Sequence, residues 1–306
     1  MKKILVTGSN GLLGQKVIEL LVHRKNFEVI AASYSDNRIH AQEGYSFEFL
    51  DITNEAETSY IFNKYKPEVV IHTAAFTEVA RCEENKDEAW KVNVDGTVNV
   101  INGANKTAAH VIYLSTDFVF DGLNGPYRED DPLNPINHYG LTKLEGEKAV
   151  RKTARQWSIL RTCLLYGVNP HMVRPNFLLW VKHSLEEGER IRVNNDQWRT
   201  PTLVDDLAFT CIQVAEKGQA GLYHVSGSEY LSVLDFAYGI AAQFGLDKEY
   251  ITPVASGLLH EYGKRPMKTG FHIDKAVKDL FFHPHTLEEG IKRVGEQIKE
   301  METLDD

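Results

Sequence analysis

Short apolar runs alternate with amphipathic stretches through the first half of the chain. Residues 4–6, 28–32, 47–50, 69–72, 111–115 and 158–161 read as strands, separated by segments of helical spacing. That alternation predicts repeated βαβ units around a parallel sheet, a doubly wound α/β (Rossmann) fold. Val69-Val70-Ile71 and Val111-Ile112-Tyr113-Leu114 are apolar throughout, as strands buried on both faces must be. Beyond about residue 166 the rhythm changes, and Pro170, Pro175, Pro201, Pro253, Pro266 and Pro284 punctuate irregular segments. Residues 204–215 read as a helix and 221–225 as a strand returning to the sheet. The expected organisation is a first domain of residues 1–165 plus about 203–225, interwoven with a smaller lobe of 166–202 and 226–306. Leu287, Ile291, Val294, Ile298 and Met301 fall at alternating spacings of four and three, the stripe of a packed helix face.

Composition narrows the function without naming it. With 306 residues, 42% hydrophobic and 25% charged, the chain is an ordinary globular protein, and its net charge of −9 argues against nucleic-acid binding. Cys82, Cys163 and Cys211 lie far apart, so neither a disulfide framework nor a zinc site is indicated; no metal ligands are assigned, and the sequence is silent on a metal at an interface. Met1-Lys2-Lys3 runs directly into an apolar stretch too short for a signal peptide, and no segment reaches membrane-spanning length. The expectation is a cytoplasmic protein with a small-molecule substrate. The sequon Asn105-Lys106-Thr107 is read as chance.

The first strand leads into Thr7-Gly8-Ser9-Asn10-Gly11-Leu12-Leu13-Gly14 and then a helix. Strand, glycine turn and helix is the context in which backbone N–H groups and a helix amino end receive a pyrophosphate. Gly8 allows the tight turn, Gly11 the approach of the phosphates and Gly14 close helix packing, with Asn10 and Leu12 in the same turn. The glycines recur at intervals of three, a departure from G-x-G-x-x-G. At the end of the second strand, where a ribose-reading acid is expected, stand Ser33, Ser35 and Arg38, with Asp36 between them. A 2′-phosphate suits these residues, so NADP is favoured, with NAD the alternative through Asp36. Asp51 and Ile52, after the third strand, are placed at the adenine; alternatively Asp51 caps the helix that begins near Asn54.

Tyr139 and Lys143 are one helical turn apart, so a lysine ammonium can stand near a tyrosine phenol and lower its pKa toward the working pH. A tyrosine so tuned gives a proton to a carbonyl oxygen as hydride reaches the carbon. Spacing alone does not discriminate, because Tyr60 and Lys64 repeat it; that pair reads as a surface helix pair. Ser115-Thr116-Asp117, upstream of Tyr139, supplies hydroxyls suited to an oxygen whose charge changes.

Taken in order, Thr7-Gly8-x2-Gly11-x2-Gly14, His72-Thr73-Ala74-Ala75, Val92-Asn93-Val94-Asp95-Gly96-Thr97, Ser115-Thr116-Asp117-Phe118-Val119-Phe120-Asp121-Gly122 and Tyr139-x3-Lys143 resemble the extended short-chain dehydrogenase/reductases. The Ser115 to Gly122 block, Pro132-Leu133-Asn134-Pro135 and the run from His138 to Glu147 are most similar to dTDP-4-dehydrorhamnose reductases. The resemblance covers residues 1 to about 225 well and the tail poorly. It implies that Thr116 orients the substrate carbonyl, with Ser115 the fallback. It implies Tyr139 as the acid, Lys143 as the group bridging the nicotinamide ribose, Asn93 as a helix support and proton relay, and Ala74 and Ala75 along the cofactor cleft. The first domain is then the NAD(P)-binding one and the second lobe binds a nucleotide sugar. Asp117 is either a substrate contact or a turn residue. Arg174, Trp198 and Arg199 are candidates for diphosphate contacts and base stacking, and Arg161 reads as structural.

The implied activity is NAD(P)H-dependent reduction of a nucleotide-linked 4-keto-6-deoxy sugar. Asp196-Gln197-Trp198-Arg199-Thr200-Pro201-Thr202 and Val204-Asp205-Asp206-Leu207-Ala208 depart from the reductase pattern toward nucleotide-sugar epimerases and dehydratases. Phe118 stands where a dehydratase has glutamate. A nucleotide-sugar 4-epimerase is therefore one alternative. A non-catalytic NADP-binding regulatory subunit is another, since the chain also resembles the β subunit of methionine adenosyltransferase. A homodimer is allowed for, although the sequence is silent on oligomeric state.

Overall fold

The computed structural model describes residues 1–24, 26–41, 43–172, 174–258 and 263–305. The first half alternates as its apolar runs dictate. β1 (Lys2–Thr7) leads to α1 (Leu12–Val22), β2 (Phe27–Ser33), β3 (Ser46–Phe49), α2 (Glu55–Tyr65) and β4 (Val69–His72). Then come α3 (Val79–Glu84), α4 (Lys86–Trp90), a π-helical turn (Lys91–Asp95), α5 (Gly96–Thr107), β5 (His110–Thr116), α6 (His138–Thr153) and β6 (Gln156–Thr162).

The second half is built of shorter pieces. β7 (Leu165–Tyr166), α7 (Phe177–Glu186), β8 (Ile191–Asn194), β9 (Trp198–Arg199) and β10 (Thr202–Leu203) precede α8 (Val204–Lys217) and β11 (Gly221–His224). β12 (Leu231–Ser232), α9 (Val233–Phe244), β13 (Ile251–Val254), α10 (Asp274–Leu280) and α11 (Leu287–Asp305) complete the chain.

Seven strands form one sheet in the order β11-β6-β5-β4-β1-β2-β3, every pair parallel. β11 is the predicted returning strand, and it joins the edge beside β6. The order reverses direction between β1 and β4, so a crevice opens at their carboxyl ends. One face of the sheet packs Ile4, Val6, Ile71, Ile112 and Leu160 against α1, α8 and α10. The other packs Leu5, Ile30, Val70 and Val111 against Ile61, Phe62, Val100 and Ala104 of α2 and α5.

A separate apolar cluster holds α7, α9 and α11 together with β8 and β13. The predicted stripe on α11 belongs to it: Ile291 and Val294 are buried, with Leu287, Ile298 and Met301 packed around them. Ser232 and Asp235 form a capping box that starts α9, and Gly245 ends it in the left-handed conformation. α10 lies in the tail expected to belong wholly to the smaller lobe, yet Ala276, Leu280 and Phe282 join the core of the main sheet. Lys275 adds a hydrogen bond from Nζ to the Leu222 carbonyl, 2.7 Å, anchoring α10 on β11.

Candidate active site

β1 ends at Thr7, and the chain turns through Gly8 at φ +69° into α1. A Cβ at Gly8 would lie 2.5 Å from the Ala74 nitrogen, so the turn rests directly on the segment leaving β4. Gly11 caps α1 with no side-chain hydrogen bond, and no acidic residue stands in the first turn. The free N–H groups and positive end of the helix therefore meet no competing carboxylate, the condition for accepting a phosphate.

Asn10 does not face a ligand with its amide: it donates to Ser35 Oγ at 3.0 Å and the Asp36 carbonyl at 2.7 Å, and accepts from Arg38 N at 3.0 Å. It fastens the ribose-reading loop to the glycine turn. Ser33 is the buried last residue of β2, and Arg38 is half-buried. Asn54, accepting from Ala56 N and Glu57 N, caps α2. Asp51 instead closes the preceding turn, accepting from Thr53 N at 2.9 Å. The Ile52 side chain is core, and its carbonyl accepts from Asn99.

A cavity of about 610 Å³ follows the turn, lined by Asn10, Gly11, Leu12, Gly14, Ala75 and Lys143 among others. A second, about 490 Å³, lies toward the smaller lobe and is walled by Glu78, Phe177, Trp180, Arg192, Gln197 and Arg265. Thr77, Thr116, Asp117, Tyr139 and Leu164 line both. Ala74 packs beneath, against the core, rather than along the cavity.

Asn137 caps α6 by accepting from Gly140 N at 2.7 Å, which sets Tyr139 in the first turn and Lys143 one turn on. A Cβ at Gly140 would lie 2.0 Å from the Phe118 carbonyl oxygen, so only glycine lets the helix start press against the Thr116 segment. Thr116 donates to Asp117 Oδ1 at 3.1 Å and accepts from Phe118 N at 3.3 Å. Tyr139 is half-buried in the cleft, where loss of water raises its pKa, Thr116 pulls it down, and Asp117 and Cys82 push it up.

Lys143 is almost fully buried, with Nζ 4.0 Å from the Tyr113 ring centroid. Burial pushes its ammonium down to about 7, and Glu147 opposes that. The lysine expected to depress Tyr139 is thus itself seated on Tyr113, and desolvation decides the state of the phenol. Asn93, in the π-helical turn, donates to the Phe76 carbonyl and to Thr142 Oγ1, each at 2.9 Å, and accepts from Phe76 N at 2.8 Å. It clamps α6 to the segment after β4.

Ser115 donates to Glu147 Oε1 at 2.5 Å, so the fallback hydroxyl is committed inward. Arg161 forks onto Glu147 with Nε and Nη2 at 2.8 and 2.7 Å and is fully buried, a structural pair as expected. Asp117 is buried too, accepting from Thr269 and from Cys163 Sγ at 3.3 Å, and burial raises its pKa.

Two candidates for the nucleotide end are redirected. Arg199 gives Nη1 to the Trp198 and Met267 carbonyls and Nη2 to Pro266 O and Gln197 Oε1, while Nε faces Asp117 at 3.6 Å. Arg199 does line the second cavity, but its Nη donors are spent on these four oxygens and its Nε faces the Asp117 carboxylate, so it is held within the protein rather than turned to a diphosphate. Trp198 tilts against Tyr230, centroids 5.5 Å apart, and lines neither cavity. Arg174 does border the first cavity, and it pairs with Glu78, which lines the second. Phe177, Trp180, Arg192 and Arg265 went unrecognised because nothing local distinguishes a cavity-facing residue on a helix or short strand from a surface one. The second Tyr-x3-Lys copy is on the surface: Tyr60 is exposed and Lys64 pairs with Glu48 at 2.6 Å.

Among the described residues no group of three or more His, Cys, Asp or Glu is placed to hold a metal. None of the described helices is long and apolar enough to cross a membrane.

The same architecture occurs in solved proteins. The dTDP-4-dehydrorhamnose reductase of Clostridium acetobutylicum superimposes with a TM-score of 0.87 at 33% identity, covering 97% of this chain and 99% of that one. The Bacillus anthracis dTDP-4-dehydrorhamnose reductase, solved in complex with NADP, gives 0.83 at 29%, covering 97% and 100%. Methionine adenosyltransferase 2 subunit beta of Bos taurus is 32% identical over 258 residues, 83% of this chain and 75% of that protein. Residues 1–300 match the RmlD substrate binding domain family, and the chain belongs to that family.

Proposed function

We propose that this protein is an NADP(H)-dependent oxidoreductase that reduces the 4-keto group of a nucleotide-linked 6-deoxy sugar. The observation that carries the reading is the wall shared by the two cavities: Thr116 and Tyr139 stand where a cofactor in one and a sugar in the other must meet. The reductase likenesses, one of them to an NADP complex, support the same choice.

The residues present fit a dinucleotide. The Gly11 end of α1 has open N–H groups and no acid, and the 33–38 loop fastened by Asn10 brings Ser33, Ser35 and Arg38 to the ribose end, which suits a 2′-phosphate. Asp51 borders the adenine end. Bound there, the nicotinamide supplies the hydride. Tyr139 gives its proton to the 4-oxygen, and the Thr116 hydroxyl orients that oxygen as charge builds on it. Lys143 holds positive charge beneath the tyrosine, and Asn93 keeps α6 in place. In the second cavity Arg192 and Arg265 face the diphosphate, and Phe177 and Trp180 supply aromatic faces for the base. Residues 166–202 and part of 226–306 form the substrate lobe, and three buried, separate thiols suit a cytoplasmic setting.

The test is consumption of NADPH by purified protein given dTDP-4-keto-6-deoxyglucose or its other nucleotide forms. Full activity of Tyr139→Phe would overturn the proton-donor assignment. The likeness to methionine adenosyltransferase 2 subunit beta favours a second reading, a cofactor-binding regulatory subunit. No turnover across the sugar-nucleotide panel, with a stoichiometric protein partner in pull-down, would establish it instead.

A further inference from the structure

Glu147 lies four residues beyond Lys143 and eight beyond Tyr139 on α6, so the three share a helical face. Its side chain is 1% exposed. One carboxylate oxygen receives both the Ser115 hydroxyl at 2.5 Å and Arg161 Nε at 2.8 Å, and the other receives Arg161 Nη2 at 2.7 Å. Ser115 and Arg161 are register partners on the adjacent strands β5 and β6. A single carboxylate therefore bolts the helix carrying Tyr139 and Lys143 to two strand ends, one of them next to Thr116. Arg161 is itself fixed, with Nη1 3.3 Å from the Glu129 carbonyl oxygen and from His224 Nε2, and its guanidinium carbon 5.2 Å from the Phe120 ring centroid.

Building on the reading of Tyr139 and Lys143 given above, we propose that Glu147 is a positioning residue for the reaction. It sets the seat of α6 against Thr116 and supplies the counter-charge for the buried Lys143. Around Lys143 the facing groups are the Tyr113 ring from β5, the His72 ring from β4 and Glu147 from its own helix. Around Glu147 they are Ser115 and the Tyr113 phenol from β5, Arg161 from β6 and, at 3.8 Å, Arg151 from α6. Glu147 is the carboxylate in this set, and its charge acts on Lys143 against burial.

The inference separates from the functional reading because Lys143 can be titrated directly. In cofactor-free protein labelled with ¹⁵N at lysine Nζ, the Lys143 signal is assigned by its loss in Lys143→Arg. Glu147→Gln alone strands a buried guanidinium and threatens folding, so the informative variant is Glu147→Gln/Arg161→Gln, which leaves a neutral amide pair. We expect its Lys143 midpoint to lie about one pH unit or more below that of Arg161→Gln, which keeps the carboxylate, so that the two variants differ in the Glu147 charge alone. The alkaline limb of kcat should move down with it. Equal midpoints in the folded Arg161→Gln and Glu147→Gln/Arg161→Gln variants overturn the counter-charge, whatever the turnover. Glu147→Asp keeps the charge and shortens the arm. It should leave the midpoint near the wild-type value and lower kcat by about tenfold or more with KM nearly unchanged. Wild-type kcat in Glu147→Asp overturns the positioning role. A wild-type protein that turns over no sugar nucleotide overturns the functional reading, while the Lys143 midpoint still reports on Glu147.

Discussion

The Lys143 Nζ stands 4.0 Å from the centroid of the Tyr113 ring, so the helix residue proposed to serve the reaction is seated on the strand beneath it. The ring face attracts the cation, but burial outweighs this and holds the ammonium down to about 7, below its ordinary 10.5. Because the unfolded chain binds this proton up to about 10.5, Lys143 lowers stability most at and below pH 7, and the penalty lifts between about 7 and 10.5. Lys143→Met is expected to raise Tm of the cofactor-free protein more at pH 6 than at pH 9. Equal gains at the two pH values would refute the buried cation.

Tyr139→Phe removes the phenolic proton and keeps the ring against Phe118, 6.1 Å between centroids. We expect kcat to fall by about 100-fold or more, the scale of a lost general acid. NADPH affinity, read by fluorescence titration, should stay within about twofold, because the pyrophosphate end at Gly11 is untouched.

Ser115 and Thr116 are adjacent but part ways in the fold. Thr116→Val should reduce kcat by about 10- to 100-fold, since Thr116 borders both cavities, and lower Tm less than Ser115→Ala does, since its bonds to Asp117 and Phe118 are the longer ones. Ser115→Ala strips a buried donor from Glu147 and should cost stability, about 1–3 kcal/mol by denaturant unfolding. Reversal of these two phenotypes would move the carbonyl-orienting role to Ser115.

Arg199→Ala leaves the Asp117 carboxyl buried without its cation and frees three backbone carbonyls. The expected loss is about 3–5 kcal/mol of stability, measured by urea unfolding. Arg192→Ala, at the second cavity, should instead raise KM for the sugar nucleotide with Tm nearly unchanged. A purely KM effect for Arg199→Ala would return that arginine to substrate binding.

His72 joins the strand ends at the crevice. Its Nδ1 is 2.7 Å from Thr7 Oγ1 and its Nε2 3.1 Å from Thr97 Oγ1. Thr97 gives its proton to the Asn93 carbonyl, so His72 must donate from Nε2 and accept from Thr7, which requires a neutral ring. Burial, with Lys143 nearby, holds its pKa down to about 3. Stability from this group is full above about 6.5 and declines as pH falls toward 3, because the unfolded histidine takes up a proton that the folded one refuses. His72→Asn should flatten the fall of Tm between pH 6.5 and 4; an unchanged slope would show that this ring is not among the groups responsible.

Tyr139 and Lys143 could be ranked above Tyr60 and Lys64 from the chain alone because the glycine turn and Ser115-Thr116-Asp117 stood in order around them. For Arg199 and Trp198 the deciding contacts are distant in sequence, whereas at Asp51 the choice was between neighbouring residues. Arg199 looks free in the string, yet its donors are taken by carbonyls of residues 266 and 267. Trp198 suggests a stacking platform, yet Tyr230 covers it, and Trp180 lines the cavity instead. Asp51 is a plausible cap by spacing, but Asn54 is the residue whose side chain reaches the free N–H groups of α2.

The sequence by itself determined the parallel sheet, since strands buried on both faces must be apolar runs and the segments between them carry helical spacing. It determined the glycine turn as well, because the required backbone conformations and close approaches are properties of residue type. Tertiary structure alone decided which polar groups are spent and which are available. Ser115 faces Glu147 while Thr116 borders both cavities, and Lys143 settles on Tyr113, because hydrogen-bond partners and desolvation come from strands and helices brought together only by folding.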